Sequence, residues 1–407
     1  MAGRISSLRT HLLFNPAAAQ ELRMEHAGGF PAEESHAPHL AEAIGWLERA
    51  QDATPDDGFA RGYSIAFNRH FGARGWQASY PETTGYIIPT LYEAAEVLGR
   101  PELAARATRA ARWEIEVQLP SGAVQGGVIG EGRSPAVFNT GQVIFGWLRA
   151  LELTGEKEFG EAARRAGRFL VQSLDEAGNW RSGNSLFANS RTTLYNARAT
   201  WALAEAGVRL NEPEFTAAAR RNLHAVAARQ HANGWFPDCC LTDPVRPLLH
   251  TIAYTVRGLL EGGRVLQDEK LLVAAESAAE ALLPTVRADG WMPGRFAEDW
   301  SGAVSWSCLT GEAQMANNWM RLYLIRGDRR WLEPVPRVLQ FLKRTQNRTH
   351  ADPGIRGGIK GSNPLDGGYG HFEILNWATK YFADALMRHD QLGAGTASAR
   401  AQGYSLA

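Results

Sequence analysis

The sequence predicts an all-α chain: six helical hairpins closed into a ring, an (α/α)6 toroid with short strands only in its loops. Three observations predict it. Loops pairing glycine with a bulky residue recur at Gly58, Gly122, Gly178, Gly234, Gly290 and Gly354, with steps of 64, 56, 56, 56 and 64 residues. Each loop is followed by a segment that is apolar nearly all round, as a helix buried on every side must be. Between these segments lie amphipathic, charge-rich ones, which read as outer helices with a solvated face.

The inner segments are 80–95, 137–151, 194–207, 248–263, 307–323 and 374–387. The outer ones are 34–51, 101–118, 157–174, 213–230, 269–286 and 329–346. The unit is therefore outer helix, glycine loop, inner helix, short turn. Six such hairpins could stack as an open solenoid. Closure is favoured because the first outer helix lacks a preceding inner helix and the last inner helix lacks a following outer one. Pairing the two ends completes the ring, and neither end carries a polar capping repeat. The organisation expected is an extension over 1–30, the toroid over 31–390 and a disordered Gly/Ala/Ser-rich tail over 391–407.

Bulk properties agree with one repetitive domain. At 407 residues the chain exceeds the usual ceiling for a single compact core. Lys+Arg and Asp+Glu both number 43, so no global field steers it to nucleic acid or to an acidic membrane. Three cysteines (Cys239, Cys240 and Cys308) are too few and too odd in number for a disulfide framework. No apolar run reaches a membrane span, and residues 1–20 lack a sustained apolar stretch. A cytoplasmic location is expected. Oligomeric state is left open.

The repeat also predicts a functional face. Every glycine loop joins an outer-helix C-terminus to an inner-helix N-terminus, so all six gather at one end. The inner-helix N-termini point partial positive charge there. First-turn positions are polar: Glu82 and Thr83, Asn139, Tyr195 and Asn196, His250, Cys308 and Thr310, and Asn376. Asn and Thr are also favoured helix caps, whereas Glu82 and His250 cap poorly. The loops add Asp56, Asp57, Arg61, Asp238, Arg295, Glu298, Asp299, Trp300, Arg356, Lys360, Tyr369, His371 and Glu373. Thirteen tryptophans offer flat faces on which sugar rings stack, although core packing uses the same residues. Cys308 stands where a nucleophile could stand, and a small buried filler is the other reading.

The segments GWQASYPETTGYIIPT, FNTGQVIFGWLRAL, PLLHTIAYTVRGLLE, GRFAEDW, SWSCLTGEAQMA and GIRGGIKGS…GGYG resemble a bacterial family of toroid proteins associated with exopolysaccharide synthesis, across roughly residues 58–387. More broadly the chain resembles the α/α-toroid superfamilies: six-hairpin glycosidases, toroid polysaccharide lyases and uronate epimerases, and the squalene cyclase and prenyltransferase group. The resemblance implies a fold and a sugar-polymer context, not a reaction.

Four functions follow as alternatives. Hydrolysis of a glycosidic bond needs two carboxyl groups across it; Glu82 and Asp299 are the expected pair, with Asp238, Glu298 and Glu373 in reserve. Elimination or epimerisation at a uronic acid needs a base such as His250, Tyr254 or Tyr369 and a cation such as Arg295 or Lys360. Substrate contacts are expected from Arg61, Tyr86, Asn139, Asn196, Trp235, Tyr254, Trp291, Arg295, Trp300, Trp306, Lys360, His371 and Asn376. Terpenoid chemistry has one signal, outer helices ending in Gln before Gly-Trp (Gln230 to Trp235), but the aspartate-rich DxDD acid is missing. A non-catalytic glycan-binding protein is the fourth. No motif implies a cofactor, and no tight His/Cys spacing implies a metal. The expected partner is an oligosaccharide or polysaccharide.

Overall fold

The computed structural model describes residues 15–180, 193–240 and 242–393. Residues 1–14 and the end of the expected tail, 394–407, lie outside these. The described residues form thirteen α-helices and seven short strands. After α1 (Pro16–His26), helices alternate outer and inner. The outer set is α2 (Ala37–Asp52), α4 (Pro101–Val117), α6 (Lys157–Gln172), α8 (Pro213–Ala227), α10 (Glu269–Ala281) and α12 (Val335–Thr345). The inner set is α3 (Pro81–Leu98), α5 (Val137–Thr154), α7 (Ala197–Arg209), α9 (Leu249–Val265), α11 (Leu309–Arg326) and α13 (Asn376–Gly393).

Local chemistry sets these boundaries. Inner helices α3, α5 and α11 each end at a left-handed glycine: Gly99, Gly155 and Gly327. Proline opens outer helices α4 and α8, where its missing N–H is not needed. Outer helix α6 buries Phe159, Ala162, Ala163, Ala166 and Leu170, a single stripe. In inner helix α9 every residue from Leu249 to Gly263 is buried. The inner ring therefore has no solvated face except at its ends.

The ring is closed by one joint used repeatedly. A glutamine ending the outer helix donates from Nε2 to its own glycine loop and to the next outer helix. Gln118 reaches the carbonyls of Gly122 (2.9 Å) and Ala162 (3.0 Å). Gln230 reaches Gly234 (3.0 Å) and Ala274 (2.8 Å). Gln346 reaches Gly357 (2.8 Å) and, across the seam, His39 of the first outer helix (3.1 Å). The loop glycines Gly122, Gly178, Gly234, Gly290 and Gly357 all have positive φ. At Gly290 and Gly357 a Cβ would collide with the carbonyl of Arg337 and of Glu42 on the next outer helix. The sixth turn glycine is thus Gly357, three residues beyond the expected Gly354. Gly58, which has no positive φ, instead gives room to the Trp113 ring.

Inner-helix side chains hold the loops from the other side. The N–H groups of Phe59, Val124 and Ile359 donate to the hydroxyls of Thr84, Thr140 and Thr379 at 2.9 Å each. In the fifth repeat Met292 N–H donates to Glu312 instead (2.8 Å). The strands are confined to this end: β1 (Gly62–Asn68), β2 (Ala73–Trp76), β3 (Val124–Gln125), β4 (Pro135–Ala136), β5 (Ser307–Cys308), β6 (Ser362–Asn363) and β7 (Glu373–Leu375). β2, β1 and β7 make one antiparallel sheet, with Tyr63 opposite both Trp76 and Ile374. Helix α1 is tied to the ring by Lys360, whose buried ammonium pairs with Glu21 (2.7 Å) and Glu25 (2.9 Å). No helix among the described residues is long and apolar enough to cross a membrane.

Candidate functional site

At the loop end the ring encloses a cavity of about 460 Å³ that is open to solvent. All six repeats reach it. Glu82 and Tyr86 come from α3, Asn139 from the first turn of α5, Tyr195 from the turn before α7, His250 and Tyr254 from α9, and Arg295 from the fifth glycine loop. Tyr369, Glu373 and Trp377 come from the last insertion, β7 and α13.

Glu82 is the least compensated charge in the cavity. Its Oε2 accepts a hydrogen bond from Tyr80 O–H at 2.5 Å. Burial pushes the carboxyl up from 4.5 to about 7; that hydrogen bond, Arg61 and Arg198 oppose the shift without reversing it. The carboxyl therefore keeps its proton well above the pH at which an ordinary glutamate loses it, and gives it up near pH 7.

His250 lies nearby with the opposite perturbation. Burial pulls its imidazole down to about 4, against a hydrogen bond with Gln314 that favours the cation. His250 Nδ1 is 2.8 Å from the Gln314 amide oxygen. That oxygen only accepts, so Nδ1 carries the proton and Nε2 keeps its lone pair. The ring is packed between Tyr254 (centroids 4.4 Å apart) and Tyr369 (5.5 Å). The Tyr369 hydroxyl accepts from Trp377 Nε1 at 2.8 Å.

The cations differ in their pairing. Arg61 bonds Glu373 (3.1 Å) and Gln77 (2.7 Å) and stacks on Phe71 and Trp377. Glu373 Oε1 also accepts from Asn68 (2.8 Å) and Gln77 (2.5 Å), so this carboxylate holds its neighbours in place. Arg295 bonds Thr242 (3.1 Å) and the Arg246 carbonyl (2.7 Å). Beneath the floor, buried Arg198 donates to Gln142 (2.7 Å) and lies 5.3–5.9 Å from the rings of Tyr254, Tyr381 and Tyr86. Its Nη2 has no hydrogen-bond partner. The floor is therefore positive.

The structure brings Glu82, His250, Tyr369, Arg61, Tyr86, Asn139, Tyr254 and Arg295 to one cavity. It places the other expected residues elsewhere. Asp299 is exposed, its carboxylate held low by the Ser301 hydroxyl and backbone N–H. Trp235 is buried edge-on to Trp300 (5.1 Å), whose Nε1 donates to the Asn233 carbonyl. Trp291 faces Arg287, and Trp306 packs on Gly294 and Gly368. Lys360 is consumed by Glu21 and Glu25, and His371 is exposed beside Phe372. Asn196 bonds Thr193, and Asn376 donates to the Ala60 carbonyl and the Thr83 hydroxyl. Of the reserve acids, Asp238 pairs with Arg229 and Glu298 with His231. Cys308 is buried, its thiol pushed up to about 12 by burial.

Sequence reasoning missed Tyr80, which bonds Glu82, and the β1–β2 hairpin, which puts Asn68, His70 and Phe71 on the rim. The signal available was the pair Gly72 and Gly75, both at positive φ in the structure.

No protein-family model and no curated sequence matches the chain. Solved structures do. An unsaturated glucuronyl hydrolase specific for heparin matches with a TM-score of 0.67 at 18% identity, over 88% of this chain and 97% of that one. The cellobiose 2-epimerase of Bacillus thermoamylovorans matches with 0.68 at 12%, over 92% and 98%. An alpha-amylase from Clostridium perfringens matches with 0.62 at 12%, over 86% and 98%. Together with the twelve alternating helices, these likenesses place the chain in the six-hairpin α/α-toroid fold.

Proposed function

We propose that the chain is a carbohydrate-active enzyme that hydrolyses a glycosidic bond in an oligosaccharide, with Glu82 as the proton donor. The observation that carries this is a carboxyl with a pKa near 7 facing an aromatic-walled cavity inside an α/α toroid. Protonating a leaving-group oxygen is worth about 10²–10⁴ in rate when the acid is positioned and matched to the working pH. Glu373 is engaged by three donors on one oxygen, so the base that takes a proton from water is His250 through Nε2. The positive floor favours a substrate with an anionic group. The toroid neighbours that act on glucuronyl units and on cellobiose agree with a sugar substrate. Three unbridged cysteines suit a cytoplasmic step.

A second reading rests on His250 itself. A neutral imidazole with a fixed tautomer, beside tyrosine hydroxyls, is also equipped to abstract a carbon-bound proton, as elimination or epimerisation requires. One assay separates the two. Wild type, Glu82→Gln and His250→Ala are run on acidic and neutral oligosaccharides, reading product mass, ultraviolet absorbance of unsaturated uronate and deuterium uptake from solvent. Products gaining one water, lost in Glu82→Gln, support hydrolysis. Unsaturated products or deuterium at carbon, lost in His250→Ala, support the second reading.

A further inference from the structure

The end of the ring opposite the cavity carries a cluster that the sugar chemistry does not use. His36 precedes α2, the first outer helix, and His389 and Asp390 lie in the last turns of α13, the last inner helix. His36 Nε2 is 3.0 Å from His389 Nδ1, and the two rings are tilted by 57° with centroids 5.0 Å apart. Asp390 Oδ1 lies 4.0 Å from the same His36 nitrogen. The three donor atoms fall within 4.8 Å of one another. His36 is buried, His389 half-buried and Asp390 exposed, so the trio is open to solvent on one side. The buried His36 Nδ1 has no hydrogen-bond partner.

We propose that His36, His389 and Asp390 form a binding site for a divalent transition-metal ion of the zinc class, which staples the seam of the ring. Two imidazole nitrogens and one carboxylate oxygen are borderline donors that suit Zn²⁺, Co²⁺ or Ni²⁺ and leave a fourth position for water. Ligands about 2.1 Å from an ion stand roughly 3.0–3.4 Å apart. The His36–His389 spacing already meets this, and the exposed Asp390 closes its 4.0 Å gap by a change of rotamer. His36 and His389 are 353 residues apart. That separation hides the set from any spacing motif. It also makes the cross-link effective, because the ion joins the two helices that complete the sixth hairpin. Close by, Lys343 donates to the carbonyls of Glu33 and Glu34, which fixes the segment entering α2.

The test uses the full chain, stripped with a chelator and titrated with Co²⁺ and then Zn²⁺. One equivalent of Co²⁺ should bind with the visible d–d bands of a low-coordinate site, and Zn²⁺ should displace it. Saturation should raise Tm by several degrees, since the ion binds only the folded ring. His389→Gln and Asp390→Asn should lose the bands and the Tm rise while keeping the metal-free wild-type Tm. These positions are used because replacing buried His36 risks the fold. No uptake at tenfold excess overturns the proposal. So does uptake that His389→Gln leaves unchanged, which would place the ion elsewhere.

Discussion

Two glutamates, half-buried Glu82 at the cavity end of the ring and buried Glu261 toward the opposite end, are shifted in opposite directions, and the difference lies in their partners. Glu261 of α9 is buried, and burial alone would raise its pKa. Arg321 (2.7 Å), Arg257 (3.2 Å) and Arg264 (2.7 Å) outweigh that and hold it well below the usual carboxylate range. Glu82 has one hydroxyl partner and no ion pair, so burial wins and the carboxyl is pushed up to about 7. A raised carboxyl is not enough to mark a site. Glu312 is also pushed well above its ordinary range by burial, but its Oε1 takes the Ser307 hydroxyl (2.5 Å) and the Met292 N–H (2.8 Å). It therefore works as a loop anchor. What distinguishes Glu82 is a perturbed proton that also faces a cavity.

The comparison is broken most directly at Glu82. Glu82→Gln is expected to lower kcat by about 10²–10⁴, the usual worth of a positioned general acid. Steady-state kinetics on the substrate identified by the product assay checks it. The wild-type rate should be highest between about pH 4, where His250 gains a proton, and about pH 7, where Glu82 loses one. A rate that rises through pH 7 would make Glu82 a base and reverse its role.

At the paired end the loss should appear in stability. Glu261→Gln leaves three arginines around a neutral side chain, and breaking a buried ion pair costs about 3–5 kcal/mol. Denaturant unfolding measures it. A change below about 1 kcal/mol would mean that water reaches this network, and the contrast with Glu82 would fail.

The third effect is smaller and has a definite sign. Between pH 4.5 and about 7 the folded protein keeps the Glu82 proton that the unfolded chain has released. Stability is therefore lost as pH rises through that window. Glu82→Gln removes the loss, so its Tm should match wild type near pH 4 and exceed it above pH 7. Equal Tm values at pH 8 would show that the carboxyl is solvated and ordinary.

These residues also show what the sequence could reveal. The alternation of all-round apolar and one-sided helices was legible because each helix meets a different neighbour on each side. Glu82 and His250 were legible because neither residue caps a helix well. Lys360 misled: in a glycine-rich loop it reads as a ligand cation, but Glu21 and Glu25 of α1 lie more than 330 residues earlier and leave no local trace. The tryptophans misled for a related reason. Trp235 and Trp300 meet edge to face with each other and do not line the cavity, and the positive φ of Trp300 is a backbone property. Tyr80 opens the first inner segment and becomes the N-cap of α3, and its bond to Glu82, two residues on, follows from no helical spacing.

The smallest expected effect is the sharpest check on where the site ends. Asp299 shares a loop with Arg295, four residues away, and sequence alone pairs it with Glu82. In the structure its Oδ1 accepts from Ser301 N–H at 2.9 Å, and the side chain is exposed. An asparagine accepts that hydrogen bond equally well and removes only the charge. Asp299→Asn should therefore change kcat/KM by less than about twofold, in line with an exposed group away from the chemistry. A loss approaching that of Glu82→Gln would require the loop to swing its carboxylate over the cavity when substrate binds. The second carboxyl of the hydrolysis would then be Asp299, His250 would lose its place as the base, and the pH profile of the rate would no longer fall as His250 gains its proton near pH 4.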